Sequence, residues 1–96
     1  MKRDLAVSIL ETFKNKYSDK YEIQALGLFG SVARNEATST SDVDICIKTK
    51  NADLFAMVHI KEELEKLFST SIDIVRIRDK MNPFLKNRIE EDAIYV

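Results

Sequence analysis

The 96-residue sequence contains little cysteine, proline or glycine, and each scarcity excludes a class of protein. The single cysteine, Cys46, cannot form an internal disulfide or a cysteine-based zinc site, which favours a reducing cytoplasm as the setting. One proline and two glycines are too few for a linker or a collagen-like chain. No run of about 18 apolar residues could span a membrane, and the N-terminal stretch is too polar for a secretory signal.

The chain also lacks a large excess of charge of either sign. Fifteen basic residues oppose sixteen acidic ones, so the net charge is −1. A dedicated nucleic-acid binder is usually strongly basic, because phosphate neutralisation supplies most of its affinity, so we expect no stable binding of nucleic acid. A nucleotide needs only a few local donors and a metal. With 45% hydrophobic residues, residues 1–96 are expected to form one packed domain.

Apolar spacing predicts alternating helices and strands, in the order α-β-(short α)-β-α-β-α. Leu5, Ile9, Phe13 and Tyr17 recur at every fourth position, as in an amphipathic helix. The remaining elements are expected as strands at Tyr21–Phe29, Val43–Lys48 and Ser71–Ile77, a helical turn at Val32–Glu36, a loop at Ala37–Ser41, a helix at Asp53–Phe68, a last helix from Asn82 and Pro83 onward, and a return to the sheet at Ala93–Val96. This order predicts an α+β (layered α/β) fold with helices packed on a small mixed sheet, in which the first two strands could pair in either direction.

The two later helices have predicted caps and buried faces. Asn51 or Asp53 is available as N-cap of the first of them, and Asn82 with Pro83 begins the second. The apolar residues expected on one side of each helix are Leu54, Met57, Val58, Ile60, Leu64, Leu67 and Phe68 in the first, and Phe84, Leu85 and Ile89 in the second.

A pair of carboxylates, Asp42 and Asp44, begins the second predicted strand. Residues i and i+2 of a strand project from the same face, about 6.6–7 Å apart along the backbone. Carboxylates so placed can share one hard cation, while substrate phosphates complete its coordination. For such a pair alone the commoner situation is an exposed strand end, with Asp42 capping a loop and Asp44 in solvent.

The Gly30-Ser31 pair, which ends the first predicted strand, changes that balance. Glycine lets backbone N–H groups approach a phosphate without a Cβ in the way. The Ser31 hydroxyl adds a donor. A phosphate-binding turn beside a carboxylate pair is the combination that nucleotide chemistry requires.

Together these residues form a recognisable signature. Residues 28–37 read LFGSVARNEA and residues 41–45 read SDVDI, so Gly-Ser is followed by ten residues and Asp-x-Asp. This pattern resembles the DNA polymerase β-type nucleotidyltransferases, and specifically their minimal nucleotidyltransferase (MNT) branch. The resemblance extends over most of the chain. Asn35 stands where many members carry glycine, and because Asn tolerates a left-handed backbone we expect the turn to survive.

The resemblance implies the polymerase β-like fold and a set of site residues. Asp42 and Asp44 would hold Mg²⁺ on the triphosphate of ATP, with Gly30 and Ser31 binding phosphate. Asp73, the acid of the third predicted strand, would help to hold a second metal ion and act as, or orient, the base. From its spacing alone, Asp73 could equally face solvent. The implied reaction is transfer of AMP from ATP to a hydroxyl, with release of pyrophosphate.

The same resemblance implies a partner, a HEPN-domain protein encoded by an adjacent gene that acts as a toxic RNase. The MNT protein would serve as antitoxin by binding it and attaching AMP to tyrosine hydroxyls. Two alternatives remain open: a catalytically inactive module that neutralises the partner by contact, and a nucleotidyltransferase acting on a small molecule or RNA. Either a homo-oligomer or a hetero-oligomer is compatible with the sequence.

Four further residues have both a functional and a structural interpretation. Arg34, one helical turn after Ser31, could contact phosphate or pyrophosphate, but pairing with Glu36 or an aspartate is slightly favoured. Lys48 shares the strand face of the aspartates, and a solvated lysine is the commoner outcome. His59 is expected at the surface, and Cys46 is expected as a small core residue.

Overall fold

The computed structural model describes all 96 residues and contains four helices and four strands. The expected order of elements and the α+β class are confirmed, and the C-terminal residues do return to the sheet. The elements are α1 (Arg3–Tyr17), β1 (Ile23–Phe29), α2 (Gly30–Ala33), β2 (Val43–Thr49), α3 (Leu54–Phe68), β3 (Ile72–Arg76), α4 (Pro83–Asp92) and β4 (Ile94–Tyr95). None of the helices combines the length and the apolar character needed to cross a membrane.

Most boundaries lie within one residue of the predicted ones, and two elements differ by more for local backbone reasons. Strand β1 begins at Ile23 instead of Tyr21, because Glu22 has a positive φ of 51° and interrupts the extended chain. The short helix begins immediately at Gly30 and ends at Ala33, so it lies earlier than the predicted turn at Val32–Glu36. The glycine therefore begins the helix and directly follows Phe29, the last residue of the strand.

The sheet is mixed, with strand order β3-β2-β1-β4. Strand β1 is antiparallel to β2 and β4, whereas β2 and β3 are parallel. The antiparallel pairing places the end of β1 beside the beginning of β2, and the parallel pairing places the beginnings of β2 and β3 side by side. This topology brings the residues after β1 and the first residues of β2 and β3 together at one end of these neighbouring strands.

The two faces of the sheet are covered by different helices. Helices α1 and α3 cover one face with the larger core, to which they contribute Ala6, Leu10, Phe13, Ile60, Leu64 and Phe68. Helix α4 packs on the other face, where Ile89 joins a smaller cluster with Phe29, Cys46 and Met81. Because side chains alternate along β2, Asp44 and Cys46 project toward this second face.

Several apolar positions predicted to be buried are exposed. Leu54 is 83% exposed and Val58 54%, since they lie about 120° and 160° around α3 from buried Ile60. In the last turn Phe68 occupies the core, and Leu67 beside it is exposed. Phe84 of α4 and Leu5 of α1 also face solvent, because Ile89 and the stripe around Leu10 make the contacts with the core. The apolar residues of these helices outnumber the positions that the sheet can cover.

The predicted caps are present. Asp53, one of the two candidates, accepts hydrogen bonds from the backbone N–H groups of Phe55 and Ala56 at 3.0 and 3.2 Å. Asn82 accepts from Phe84 and Leu85 at 2.9 and 3.3 Å. Both helices therefore begin where the sequence indicated.

Candidate active site

The carboxylate of Asp44 lies directly over the turn at Gly30. Gly30 follows β1 with a φ of +73°, and Asp44 is the cross-strand neighbour of Phe29. A Cβ atom built on Gly30 would overlap Asp44 Oδ2 and lie 3.0 Å from its Cγ. Glycine is therefore required here both by the backbone conformation and by the close approach of the carboxylate. The turn and Asp44, the second residue of the acidic pair predicted from the sequence, therefore lie in contact.

Asp73 is the direct neighbour of Asp44 in the parallel ladder between β2 and β3. Directly paired residues of adjacent strands project to the same face, with strands about 4.8 Å apart. Asp42 lies two residues before Asp44 at the same end of β2. Asp42 and Asp73 are exposed, whereas Asp44 is half-buried. The sheet register thus gathers the three predicted aspartates at one place, beside Gly30.

The charges of these groups act on one another. The pKa of the Asp44 carboxyl is raised, first by burial and next by the negative charge of Asp73. The positive charge of Arg88 opposes that shift, Asp42 adds to it, and Arg34 opposes it more weakly. A cation bound between these carboxylates would reduce the repulsion between their negative charges.

The aspartates have the chemistry that Mg²⁺ prefers, because carboxylate oxygens are hard ligands. Mg²⁺ is usually held by one or two carboxylates together with water and substrate phosphates, so an open set of ligands fits it. The protein side chains do not form a closed cluster, since no group of three or more His, Cys, Asp or Glu residues is assembled as a metal centre. The residues fit a metal shared with a nucleotide, and their role as metal ligands stays a prediction.

The turn after β1 is closed by backbone hydrogen bonds. The N–H of Asn35 donates to the Val32 carbonyl at 3.0 Å, and the N–H of Glu36 donates to the Ser31 carbonyl at 2.8 Å. Asn35 adopts a left-handed conformation with a φ of 60°, so the expectation that Asn replaces glycine here is confirmed. Ser31 is half-buried, and its hydroxyl makes no hydrogen bond within the protein. That donor is available to a ligand.

Arg34 bridges the turn to α4. Its Nε donates to Glu36 Oε2 at 3.1 Å, and a terminal nitrogen donates to Asp92 Oδ2 at 2.6 Å. The ion pair favoured in the sequence analysis is confirmed, and the contact of Arg34 with phosphate stays a prediction. The bridge links α4 to the segment that follows the Gly30-Ser31 turn.

The other candidates lie away from this chemistry. His59 is exposed on α3, and Lys48 is exposed about 13 Å along β2 from Asp44. Cys46 is fully buried, and burial raises the pKa of its thiol to about 11. The thiol therefore stays protonated and is a core residue, as expected.

Sequence reasoning missed one charged residue of the site, Arg88. It lies on α4, is half-buried, and its charge acts on Asp44. No motif in the sequence includes it, because only the packing of α4 on the sheet brings it near the aspartates. The one available signal was its spacing of four residues from Asp92, which places both on the same side of a helix.

The chain resembles known nucleotidyltransferases in sequence. Residues 9–96 match the profile of the "Nucleotidyltransferase domain" family. A candidate protein adenylyltransferase of Methanocaldococcus jannaschii is 36% identical over 89 residues, which are 92% of this chain and 91% of that protein. The protein adenylyltransferase MntA of Thermococcus cleftensis is 28% identical over 90 residues, which are 93% and 90% of the two chains.

Solved structures show the same fold. A candidate minimal nucleotidyltransferase has a TM-score of 0.79 and 26% identity, covering 98% of this chain and 95% of that one. A Shewanella oneidensis MNT antitoxin in complex with a tri-AMPylated HEPN toxin gives a TM-score of 0.67 at 18% identity, over 94% and 70% of the chains. A toxin–antitoxin structure with AMP-PNP gives 0.70 at 17% identity, over 99% and 72%. The chain therefore belongs to the nucleotidyltransferase domain family, as a minimal nucleotidyltransferase of the DNA polymerase β-like superfamily.

Proposed function

We propose that this chain is a Mg²⁺-dependent enzyme that transfers AMP from ATP to a tyrosine hydroxyl of a HEPN-domain toxin encoded by an adjacent gene, and so acts as its antitoxin. The observation that carries the proposal is the contact between the Asp44 carboxylate and Gly30, with Asp73 beside it in the ladder. The relatives add support, since one is named a protein adenylyltransferase and another is an antitoxin in complex with an AMP-modified HEPN toxin. The reducing cytoplasm inferred from the single cysteine remains part of this proposal.

The first task of the site is to bind the triphosphate. Backbone N–H groups at Gly30 and the free hydroxyl of Ser31 would donate hydrogen bonds to its oxygens. Asp42 and Asp44 would hold the magnesium that accompanies ATP. When bound, the metal neutralises phosphate charge and polarises the phosphorus toward attack.

The second task is to direct the acceptor hydroxyl. The hydroxyl oxygen forms a bond to the α-phosphorus, and the bond from that phosphorus to the oxygen bridging to the β-phosphate breaks. AMP stays on the acceptor and pyrophosphate leaves. Asp73, exposed at the rim of the site, would accept or orient the hydroxyl proton.

The shape of the site favours an acceptor carried by another macromolecule. Asp42, Asp44 and Asp73 do not line any of the four grooves around α3, the α1–β1 turn and the N-terminus. The exposed carboxylates of Asp42 and Asp73 are accessible to a side chain that a partner protein presents. This feature supports a protein acceptor over a small molecule.

The test is transfer of label from ATP to the HEPN-domain product of the adjacent gene in the presence of Mg²⁺. Wild type would be compared with the double variant Asp42→Asn/Asp44→Asn. Asp19→Asn is the matched control, because Asp19 is an exposed aspartate in the α1–β1 turn, at the opposite end of the sheet. We expect labelled partner with wild type and Asp19→Asn, and none with the double variant. Omission of Mg²⁺ should also abolish labelling.

The alternatives give different results in the same experiment. If wild type and the double variant suppress the partner's RNase activity equally and neither labels it, the contact-only antitoxin is correct. If label appears on RNA or on a small molecule added to the mixture and not on the partner, the acceptor assignment is wrong. Mass spectrometry of labelled partner identifies the modified residue, and a residue other than tyrosine would overturn that part of the proposal.

A further inference from the structure

Arg88 lies on the helix that covers the same sheet face as the candidate active site. Helix α4 is anchored there by Ile89, which is 4% exposed and packs in one cluster with Phe29 and Cys46. Phe29 is the cross-strand neighbour of Asp44, and Cys46 is two residues farther along β2 on the same face. Arg88 precedes the anchoring residue by one position, so its backbone is held close to the aspartates.

The ion pair between Arg34 and Asp92 defines which side of α4 faces the turn. Asp92 Oδ2 accepts from Arg34 at 2.6 Å, and Arg34 follows Ser31 by three residues. Residues four apart in a helix lie on the same side, one turn above the other. Arg88 is four residues before Asp92 and therefore faces the Gly30-Ser31 turn and Asp44.

Arg88 faces the site without an ion-pair partner. Arg34 is occupied by two carboxylates, whereas Arg88 forms no ion pair within 4.0 Å and no side-chain hydrogen bond. A guanidinium carries five N–H donors, and a half-buried one is stabilised when an anion engages them. The position offers a planar group with free donors on the side of α4 that faces the Gly30-Ser31 turn.

We propose that Arg88 binds the β- and γ-phosphates of ATP and holds the pyrophosphate as it leaves. The inference rests on the proposed function, since it assigns a further residue to that same site. Arginine forms paired hydrogen bonds with phosphate oxygens, and such charge-assisted bonds are stronger than neutral ones. Arg88 thus supplies the phosphate contact that the sequence analysis considered for Arg34, whose donors are engaged by Glu36 and Asp92.

The test is nucleotide binding by the purified chain, measured by calorimetry in Mg²⁺ with ATP, AMP and inorganic pyrophosphate as separate ligands. We expect Arg88→Gln to weaken the binding of ATP and of pyrophosphate about tenfold or more. The binding of AMP should weaken less than about twofold. Arg88→Lys, which keeps the charge and loses the paired geometry, should lie between wild type and Arg88→Gln. Lys86→Gln is the matched control, because Lys86 is an exposed cation on the same helix, and it should bind all three ligands like wild type.

The results separate this inference from the proposed function. If Arg88→Gln binds ATP as tightly as wild type does, the inference about Arg88 is wrong and the proposed function is unaffected. An equal loss of ATP and AMP binding, together with a lowered Tm, also overturns it, because it indicates a structural role. Selective loss of ATP and pyrophosphate binding supports the inference even if no label reaches the partner, in which case the acceptor assignment fails by itself. A wild-type chain that binds no ATP contradicts both.

Discussion

The carboxylate of Asp44 occupies the space that a side chain at position 30 would fill. This contact joins the end of β1 to the beginning of β2, so the Gly30-Ser31 turn and Asp44 form one structural unit. Any side chain larger than hydrogen at position 30 must displace the carboxylate or the turn. The glycine therefore matters for the fold and, under the proposed function, for the arrangement of the site.

Replacing Gly30 with alanine should lower both stability and nucleotide binding. The positive φ disfavours alanine, and its Cβ would overlap Asp44, so we expect the free energy of unfolding to fall by about 2–3 kcal/mol. Urea denaturation measures the change. The double variant Gly30→Ala/Asp44→Ala removes the overlap and should regain most of the lost free energy of unfolding. A deficit of about 1 kcal/mol relative to wild type should remain, because alanine at position 30 still has a positive φ.

Gly27→Ala is the control for that double-mutant cycle. A Cβ on Gly27 would lie 2.9 Å from Tyr95 Cδ1 and 3.1 Å from Cys46 Sγ, away from Asp44. It should also destabilise the chain, and Asp44→Ala should not restore the loss. Additive effects of Gly30→Ala and Asp44→Ala would contradict the contact described above.

Neutralising Asp44 should stabilise the metal-free chain at neutral pH. The pKa of its carboxyl is raised above the ordinary 3.8 by burial and by Asp73, so the folded state holds this proton more tightly than the unfolded state. The free energy of unfolding therefore falls as pH rises from 3.8 through the raised pKa. Asp44→Asn should raise Tm at pH 7 by on the order of 1–2 °C, and the effect is small because the carboxyl group is partly solvated. At pH 3 the substitution should leave Tm unchanged.

Mg²⁺ should stabilise the wild-type chain, since a cation that binds only the folded state raises Tm by mass action. We expect this response to disappear in Asp44→Asn and to persist in Asp19→Asn. Thermal melts with and without millimolar Mg²⁺ provide the measurement. An equal rise of Tm in all three proteins would mean that the ion acts elsewhere on the surface.

The left-handed turn at Asn35 should accept glycine and reject a β-branched residue. Its φ of 60° is open to glycine at no steric cost, so Asn35→Gly should keep or slightly raise stability. Asn35→Val should lower the free energy of unfolding by about 1–2 kcal/mol. If chemical denaturation ranks the two variants in the opposite order, the turn differs from the one described.

Substitutions of two leucines in α3 should differ in their effect on stability, although the sequence analysis placed both leucines on one apolar face of the helix. Leu64 is fully buried and Leu54 is 83% exposed. Leu64→Ala should cost about 2–5 kcal/mol, whereas Leu54→Ser should change stability by no more than about 0.5 kcal/mol. Comparable losses in the two variants would show that the first turn of α3 is covered.

Local pattern was sufficient to predict most of the elements and the signature of the site. Apolar residues at every fourth position predict helix α1. Asp53 and Asn82 are residue types that commonly cap the helix that follows them. The Gly-Ser and Asp-x-Asp segments are close in sequence, so their spacing alone indicated the family. These features depend on neighbouring residues and need no knowledge of the distant chain.

The sequence by itself thus determined the elements, their caps and the identity of the acidic and glycine residues. Tertiary structure alone decided that β1 and β2 run antiparallel, that Asp73 pairs with Asp44 across β2 and β3, and that Leu54 and Phe84 face solvent. It alone brought Arg88 to the aspartates by docking α4, while Asp92 engaged Arg34. The physical reason is that periodicity specifies which side of an element is apolar, whereas strand register and helix docking depend on contacts between residues far apart in the chain.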